Sequence, residues 1–335
     1  MSPRSGSGMR WRRKELRARS SGAACRGNSR HPSAAIQPST VRRQSLKQAA
    51  KHGSAAVARR ALPLGARRQL AVWTDRQSWL PGQHWWPHAI LDDWRARDPN
   101  AFHRFLWSHH LAYAESYGTH RFDRERLNLT RQLLVESLVA NLARSGRLQE
   151  VRSILDVGSS LGYLLRMMEV DVFPSADVFD GIDIDGQAVA AGSHYLRESG
   201  SRVRLMHGDM AELDRLVGGT TYDLVVCAGT LMYLDQRAAA EVVRGLIRRA
   251  RIVVAMADLA HPEIDNALLE RSGVRSSDGA FIHNLDAIVE HVGARVVWRR
   301  WDGARLLDGN SVYFVFAEDR SKSSCLRGAE TDFDR

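Results

Sequence analysis

The stretch ILDVGSSLGYLL, residues 154–165, runs from apolar residues through a glycine-bearing turn into a helical pattern. The apolar residues predict a buried strand. Gly158 lets a ligand approach the backbone because no Cβ stands in the way, and Gly162 lets the next helix start close to the strand. The N-terminus of that helix offers free N–H groups and partial positive charge to an anion such as a carboxylate. The stretch therefore predicts a strand–turn–helix unit with a ligand-binding turn.

Acidic residues follow the next two predicted strands. GIDID (181–185) places a carboxylate at the tip of the second strand, where it can accept both hydroxyls of a ribose. HGDM (207–210) ends the third strand, where an acid could accept a hydrogen bond from an exocyclic amine. Each feature alone is common, because a lone Asp at a strand end is most often a helix cap. Together and in order, they indicate a nucleoside-type ligand.

Seven strands alternate with helices across residues 151–318, and this alternation predicts a mostly parallel sheet covered on both faces. The predicted strands are 153–157, 178–183, 203–206, 223–228, 252–256, 295–301 and 311–317. The predicted helices are 162–170, 187–198, 237–249 and 285–292. The loop 302–310 is too short for a helical crossover, so the last two strands should form an antiparallel hairpin. The fold class is thus α/β, a Rossmann-like seven-stranded sheet with an antiparallel last strand.

The turn reads GSSLG and departs from the G-x-G-x-x-G fingerprint of dinucleotide-binding proteins. Together with YDLVVCAGTLMYLD (222–235), the three stretches above resemble the class I S-adenosylmethionine-dependent methyltransferases. The resemblance covers residues 151–318, about half of the chain. It implies a methyltransferase with S-adenosyl-L-methionine as cofactor, and it is not specific for any substrate.

The resemblance also implies which residues bind the cofactor. Gly158 and Gly162 would shape the turn around the methionine moiety. Asp156 would help to orient the amino group, directly or through water. Asp183 would bind the ribose. Asp185 is the alternative ribose ligand, although its position better suits a cap for the next helix.

The remaining implied contacts concern the adenine and the sulfonium. Ile184 would pack on the adenine, and Asp209 with Met210 would hold its other edge. The backbone around Ala228 would line the sulfonium end. Ser160 stands where many members of the superfamily have glycine. Serine is small and polar, so we expect the cofactor geometry to persist with a modest change in affinity.

Three residues are candidates for catalysis. Methyl transfer is an in-line displacement that mainly requires positioning and exclusion of water, and a base helps when the nucleophile is a hydroxyl. Tyr233, His261 and His283 are the candidates, and His261 is favoured because it follows the carboxyl end of a strand. A single histidine is more often a satisfied polar contact or a helix cap. Residues 228–233 read AGTLMY and lack the Asn/Asp-Pro-Pro-Tyr signature of enzymes that methylate exocyclic base amines.

Residues 71–150 hold six of the nine Trp and six of the thirteen His, and they predict a helical, aromatic-rich cap. Asn100 is the predicted N-cap of a helix over 101–115, and a second, amphipathic helix ends near Gly146. The segment either covers a pocket or covers one edge of the sheet. Four of its residues are further pocket candidates: His109, His110, Tyr113 and Tyr117. We expect no metal site at His103, His109 and His110, because adjacent helical residues point apart.

Charge divides the chain unevenly. Residues 1–70 hold 17 basic residues and one acid, whereas residues 71–335 hold 31 basic and 37 acidic residues. This composition predicts a disordered basic arm over 1–70, a polar tail over 319–335, and a folded body that binds nucleic acid poorly. The arm is a transit peptide, a functional arm or an upstream extension of the reading frame. The three widely spaced cysteines indicate a reducing, cytoplasmic setting, and no apolar run approaches a membrane span.

The sequence therefore predicts an S-adenosylmethionine-dependent methyltransferase that acts on an oxygen or nitrogen atom of a small-molecule acceptor. One alternative is an RNA methyltransferase whose basic arm contacts phosphates. The other is a non-catalytic module that binds the nucleoside without transferring a methyl group. The acceptor and the oligomeric state are not indicated by the sequence.

Overall fold

The structure, a computed structural model, describes residues 53–77, 85–112, 128–307 and 309–323. Residues 53–61 are helical. Four longer helices precede the sheet: α1 (Leu64–Asp75), α2 (Trp85–Arg97), α3 (Pro99–Ser108) and α4 (Leu129–Arg144). The helices of the sheet domain are α5 (Tyr163–Met167), α6 (Gly186–Glu198), α7 (Leu213–Val217), α8 (Gln236–Arg249) and α9 (Leu285–His291), and α10 (Arg320–Ser323) follows the last strand.

Seven strands form one sheet in the order β3-β2-β1-β4-β5-β9-β8. They are β1 (Ser153–Val157), β2 (Val178–Asp183), β3 (Val203–His207), β4 (Tyr222–Ala228), β5 (Ala250–Leu259), β8 (Ala294–Leu307) and β9 (Asn310–Asp319). The first five are parallel, and β9 is antiparallel to β5 and β8. The predicted fold class is confirmed. A separate pair, β6 (Gly273–Val274) with β7 (Phe281–Ile282), was not predicted.

Helices cover both faces of the sheet, which explains why β1 and β4 are buried along their whole length. One face packs on α4, α5 and α6, with Leu138 and Leu165 among its fully buried side chains. The other face packs on α7, α8 and α9, with Leu246 and Val289 buried. The carboxyl ends of the five parallel strands remain at one edge, where loops can form a site.

Helix α3 differs from its predicted bounds. It begins at Pro99, and the side chain of Asp98, not Asn100, accepts the capping hydrogen bond from the Ala101 N–H. A proline at the first helical position lacks the N–H that would otherwise need a partner, so Pro99 begins the helix and the cap lies two residues earlier than predicted. The helix ends at Ser108, because His110 has a φ of 61° and cannot continue it.

The prediction that disorder extends to residue 70 is wrong for residues 53–70, which are helical over 53–61 and from residue 64 onward. The Arg67 guanidinium is 4% exposed and bonds both the Ile90 carbonyl, at 2.9 Å, and the Asp93 carboxylate. Arg68 lies over the ring of Trp94 at 5.2 Å. Arginines in this segment therefore have partners from α2, which a count of charges along the chain does not reveal.

Several predictions lie outside the described residues: the arm over 1–52, Tyr113, Tyr117 and most of the polar tail. Within the described ranges, no helix has both the length and the apolar character needed to cross a membrane. Cys227 is buried and free.

Candidate active site

The turn after β1 requires glycine at its first position. Gly158 has a φ of +83°, and the N–H groups of Gly158 and Ser159 donate to the Ile182 carbonyl at 2.8 and 3.0 Å. A Cβ at residue 158 would lie 2.1 Å from the Oγ1 atom of Thr230. Both the backbone conformation and the contact exclude a side chain there. The turn is thus held against β2 and against the loop after β4.

Ser160 and Gly162 complete this turn. Ser160 has a φ of +52°, a conformation that favours glycine, and its N–H donates to the Asp183 carboxylate at 2.7 Å. Gly162 has a φ of +79°, and a Cβ there would lie 3.0 Å from Leu196. Gly162 therefore serves the packing of α5 against α6, as the sequence suggests, and it does not line the cavity described below.

Asp183 and Asp185 have different roles at the end of β2. The two carboxylate oxygens of Asp183 accept the N–H groups of Ser160 and Asp185, at 2.7 and 2.8 Å, which fixes the carboxylate at the cavity. Burial raises the pKa of Asp183. Asp185 caps α6 through the N–H groups of Gln187 and Ala188.

The end of β3 carries the third acid. Asp209 accepts the Ala211 N–H at 2.9 Å through one oxygen, and its other oxygen pairs with the Nε atom of Arg104 at 2.7 Å. Arg104 belongs to α3, so this ion pair joins the cap to the sheet edge. Met210 follows directly and also faces the cavity.

These turns surround one cavity of about 950 Å³, its open mouth included. Seven of the nine predicted cofactor-binding residues line it: Gly158, Ser160, Asp183, Ile184, Asp209, Met210 and Ala228. Asp156 and Gly162 lie behind this lining. Since the residues come from four separate loops, the fold itself brings the predicted set together.

Asp156 is fully buried in β1, just ahead of the turn. Burial raises its pKa to about 7, and the positive charge of Arg131 acts in the opposite direction. A carboxyl group in this state changes its charge readily when a cation binds nearby.

Arg131 lines the cavity, and the sequence analysis missed it. It lies in the first turn of α4, where its N–H donates to the Asn128 cap. Its positive charge counteracts the raised pKa of both Asp156 and Asp183. Among the residues with described positions, no ion pair or side-chain hydrogen bond of this guanidinium occurs. The only sequence signal was an arginine in the helix that precedes the glycine-bearing strand.

Of the three catalytic candidates, only Tyr233 lines the cavity. The Nδ1 atom of His261 turns back to accept the N–H groups of Glu263 and Ile264 at 3.2 and 3.0 Å. His261 and His283 are therefore not brought to the cavity.

His283 is 1% exposed and has partners for both ring nitrogens, the Leu231 carbonyl at 3.1 Å and the Ser272 hydroxyl at 2.6 Å. Burial lowers its pKa. This is the satisfied polar contact that the sequence analysis held as the alternative.

Helix α3 lies over the cavity and contacts three loops at the sheet edge. Besides the Arg104–Asp209 pair, the Asn100 amide donates to Asp235 at 3.2 Å. His110, just past the helix end, bonds Asp185 at 2.6 Å, and this contact raises the pKa of His110. Asn100, Arg104 and Trp107 of this helix line the cavity.

The three cap histidines have separate surroundings. His109 lies 2.9 Å from the Phe105 carbonyl, His110 bonds Asp185, and His103 packs against Tyr233. Over the ranges that the structure describes, no group of three or more His, Cys, Asp or Glu side chains is suited to a metal ion.

The sequence and the fold of this chain are similar to those of known proteins. Residues 154–251, from β1 to the start of β5, match the family model of a methyltransferase domain. No protein of curated function matches the chain by sequence.

Solved structures similar to this chain include magnesium protoporphyrin IX methyltransferase from Synechocystis PCC 6803 with bound S-adenosylhomocysteine. It is 19% identical, with a TM-score of 0.47, over 66% of this chain and all of that one. A second is an S-adenosylmethionine-dependent methyltransferase from Leishmania major, with 14% identity and a TM-score of 0.47, over 67% of this chain and 85% of that one. A third is a sarcosine dimethylglycine methyltransferase from Galdieria sulphuraria, with 17% identity and a TM-score of 0.40, over 51% of this chain and 62% of that one.

The matched family model, the strand order and the cavity at the carboxyl edge of the sheet define the class. Residues 154–251 are a methyltransferase domain, and the cofactor of this class of domain is S-adenosyl-L-methionine. The cavity fits that group: a turn that excludes a side chain at Gly158, a fixed carboxylate at Asp183, apolar walls at Ile184 and Met210, and a half-buried cation at Arg131.

Proposed function

We propose that this enzyme methylates an oxygen or nitrogen atom of a small-molecule acceptor. Helix α3 carries the proposal, because it lies over the cavity and contributes Asn100, Arg104 and Trp107 to its lining. A roofed cavity lined by apolar and a few polar groups suits a small ligand. Residues 71–335 hold more acidic than basic residues, and this net negative charge disfavours binding of a polyanion such as RNA.

The proposed roles of the cofactor-binding residues follow from their positions. Asp183 accepts the ribose hydroxyls with the lone pairs that its two backbone partners leave free. Ile184 and Met210 pack on the adenine, and Asp209 holds its edge. Arg131 pairs with the methionine carboxylate. Asp156 would stabilise the methionine amino group, directly or through water.

Gly158, Ser160 and Ala228 bring the backbone close to the cofactor. When bound, S-adenosylmethionine supplies a methyl group activated by its sulfonium. Gly162 supports this arrangement through packing alone. The chain's remaining task is to orient the acceptor and exclude water, which Tyr233 and Trp107 perform as aromatic walls.

Transfer of label from S-adenosylmethionine tests the proposal. The purified full chain is incubated with a collection of small hydroxyl and amine compounds, and separately with total RNA, with Asp183→Ala as the matched control. We expect label in small molecules for the wild type and a strong loss in the variant. Label in RNA that disappears at high salt would favour the RNA alternative, and cofactor binding without any transfer would favour the non-catalytic one.

A further inference from the structure

A second cavity adjoins the first. Trp107 and Tyr233 line both, so the two cavities meet at these two side chains. The other lining residues of the second cavity come from the helix 53–61, α2, α3, Ala112 and residues 277–278.

The formal charges around the second cavity cancel. Two arginines and two aspartates line it: Arg59, Arg95, Asp92 and Asp278. Arg95 bonds Asp92 at 2.7 Å, and Asp278 pairs with Arg275 at 2.5 Å. Arg59 bonds the Ala89 carbonyl. Because the lining carries no net formal charge, the cavity favours a neutral ligand.

Aromatic rings form one continuous wall of this cavity. The rings of Phe102 and His103 lie 5.3 Å apart, those of His103 and Tyr233 4.9 Å, and those of Tyr233 and Trp107 5.0 Å. Such a wall offers ring faces and edges to a planar ligand.

One polar group on that wall lacks a partner. His103 is 4% exposed, and its Nε2 atom is buried without a hydrogen-bond partner among the described residues. Burial lowers its pKa, with the Gly279 backbone and Asp278 partly opposing, so the ring is neutral near pH 7. A neutral imidazole nitrogen is a donor or an acceptor depending on the tautomer, and a hydroxyl group can satisfy either.

We propose that the second cavity binds the methyl acceptor, and that the acceptor is a neutral aromatic compound whose hydroxyl group contacts His103. This extends the proposed function and rests on it. During transfer the hydroxyl proton moves to the Nε2 atom of His103. The acceptor oxygen then forms its bond to the methyl carbon as the carbon–sulfur bond breaks, and the positive charge ends on the imidazole.

Binding measurements on the full chain test this without relying on turnover. The probes are 2-naphthol, its methyl ether and 2-naphthoate, titrated by calorimetry in the presence of saturating S-adenosylhomocysteine. We expect 2-naphthol to bind about tenfold tighter than the ether, the size of one hydrogen bond to a buried group, and tighter than the carboxylate. His103→Phe should remove the preference for naphthol over the ether. His109→Gln, at the residue that follows the same helix and lines neither cavity, should keep it.

The results distinguish a failure of this inference from a failure of the proposed methyltransferase function. Absence of S-adenosylhomocysteine binding would contradict the proposed function itself. With that binding intact, equal affinities for naphthol and ether, tightest binding of the carboxylate, or an unchanged preference in His103→Phe would overturn the inference. If His103→Phe does not fold, His103→Gln replaces it. If both His103→Gln and His88→Gln retain the full preference for naphthol over the ether, that result would also contradict the contact with His103.

Discussion

The turns after β1, β2 and β3 and the helix α3 above them form opposite walls of one cavity, and different interactions hold them. The turn after β1 is fixed by backbone: Gly158 has a φ of +83°, and the N–H groups of Gly158 and Ser159 donate to the Ile182 carbonyl. Helix α3 is fixed by side chains that reach across the chain, Arg104 to Asp209 and Asn100 to Asp235. Backbone geometry is insensitive to pH and salt, whereas such pairs are sensitive to both. The cofactor wall should therefore be rigid and the cap adjustable.

The largest effect should come from Gly158→Ala. The new Cβ would meet Thr230 Oγ1 at 2.1 Å, and the backbone conformation is itself unfavourable for alanine. We expect S-adenosylmethionine to bind at least about 100-fold more weakly, and the free energy of unfolding to fall by about 2 kcal/mol. Calorimetry and urea unfolding measure both.

Gly146→Ala is the matched control for Gly158→Ala. Gly146 has a φ of +72°, but nothing lies within 4 Å of a Cβ there. Gly146→Ala should lower the free energy of unfolding by about 1 kcal/mol, the conformational cost alone, and should leave cofactor affinity unchanged. Equal losses of affinity in the two variants would show that the turn is not held by its contact with Thr230.

Arg131→Ala should weaken S-adenosylmethionine binding about tenfold, because it removes the half-buried cation that we propose to pair with the methionine carboxylate. Methylthioadenosine, which lacks the carboxylate and the amino group, should bind both proteins equally. Arg104→Ala, at the adenine side, should affect both ligands alike. If Arg131→Ala weakened both ligands equally, its proposed pairing with the carboxylate would be wrong.

Cofactor affinity should rise with pH through Asp156. Its pKa is about 7 in the ligand-free protein, and a nearby ammonium group favours the ionised carboxylate. We expect binding to tighten about fivefold from pH 5.5 to 7.5, with proton release visible in buffers of different ionisation enthalpy. Asp156→Asn should bind with the same affinity at both pH values. A pH dependence that persists in this variant would point to another group.

The smallest effect concerns the cap. The bond to Asp185 raises the pKa of His110, so the stability it contributes is full below the ordinary value of 6.5 and is lost as the pH rises through the folded value. His110→Gln should therefore cost less than about 1 kcal/mol of unfolding free energy, and more at pH 6 than at pH 8.5. His109→Gln is the control, because that imidazole contacts the Phe105 carbonyl rather than a carboxylate. A larger cost at pH 8.5 would contradict this account.

The cofactor wall could be predicted from sequence because its information is local. β1 and β2 have their predicted bounds, Asp183 is the last residue of β2, and Asp209 lies two residues after the end of β3. Ser160 could be recognised as a departure, but its positive φ and its bond to Asp183 required the structure.

The cap could not be predicted to the same degree, because its partners are distant in the chain. His261 does follow the carboxyl end of β5, yet its ring turns back to cap its own loop. Arg131 precedes the glycine turn on a separate helix, and Arg67 finds its partner Asp93 26 residues away. Composition and spacing do not encode these pairings.

Calorimetric titration of the full chain with S-adenosylmethionine, beside Asp183→Ala, tests the account most directly. We expect one cofactor per chain for the wild type and about 100-fold weaker binding for the variant, since its ribose would lose a fixed carboxylate. A folded wild type that gives no binding heat, or a variant with wild-type affinity, would contradict the assignment of this cavity to the cofactor.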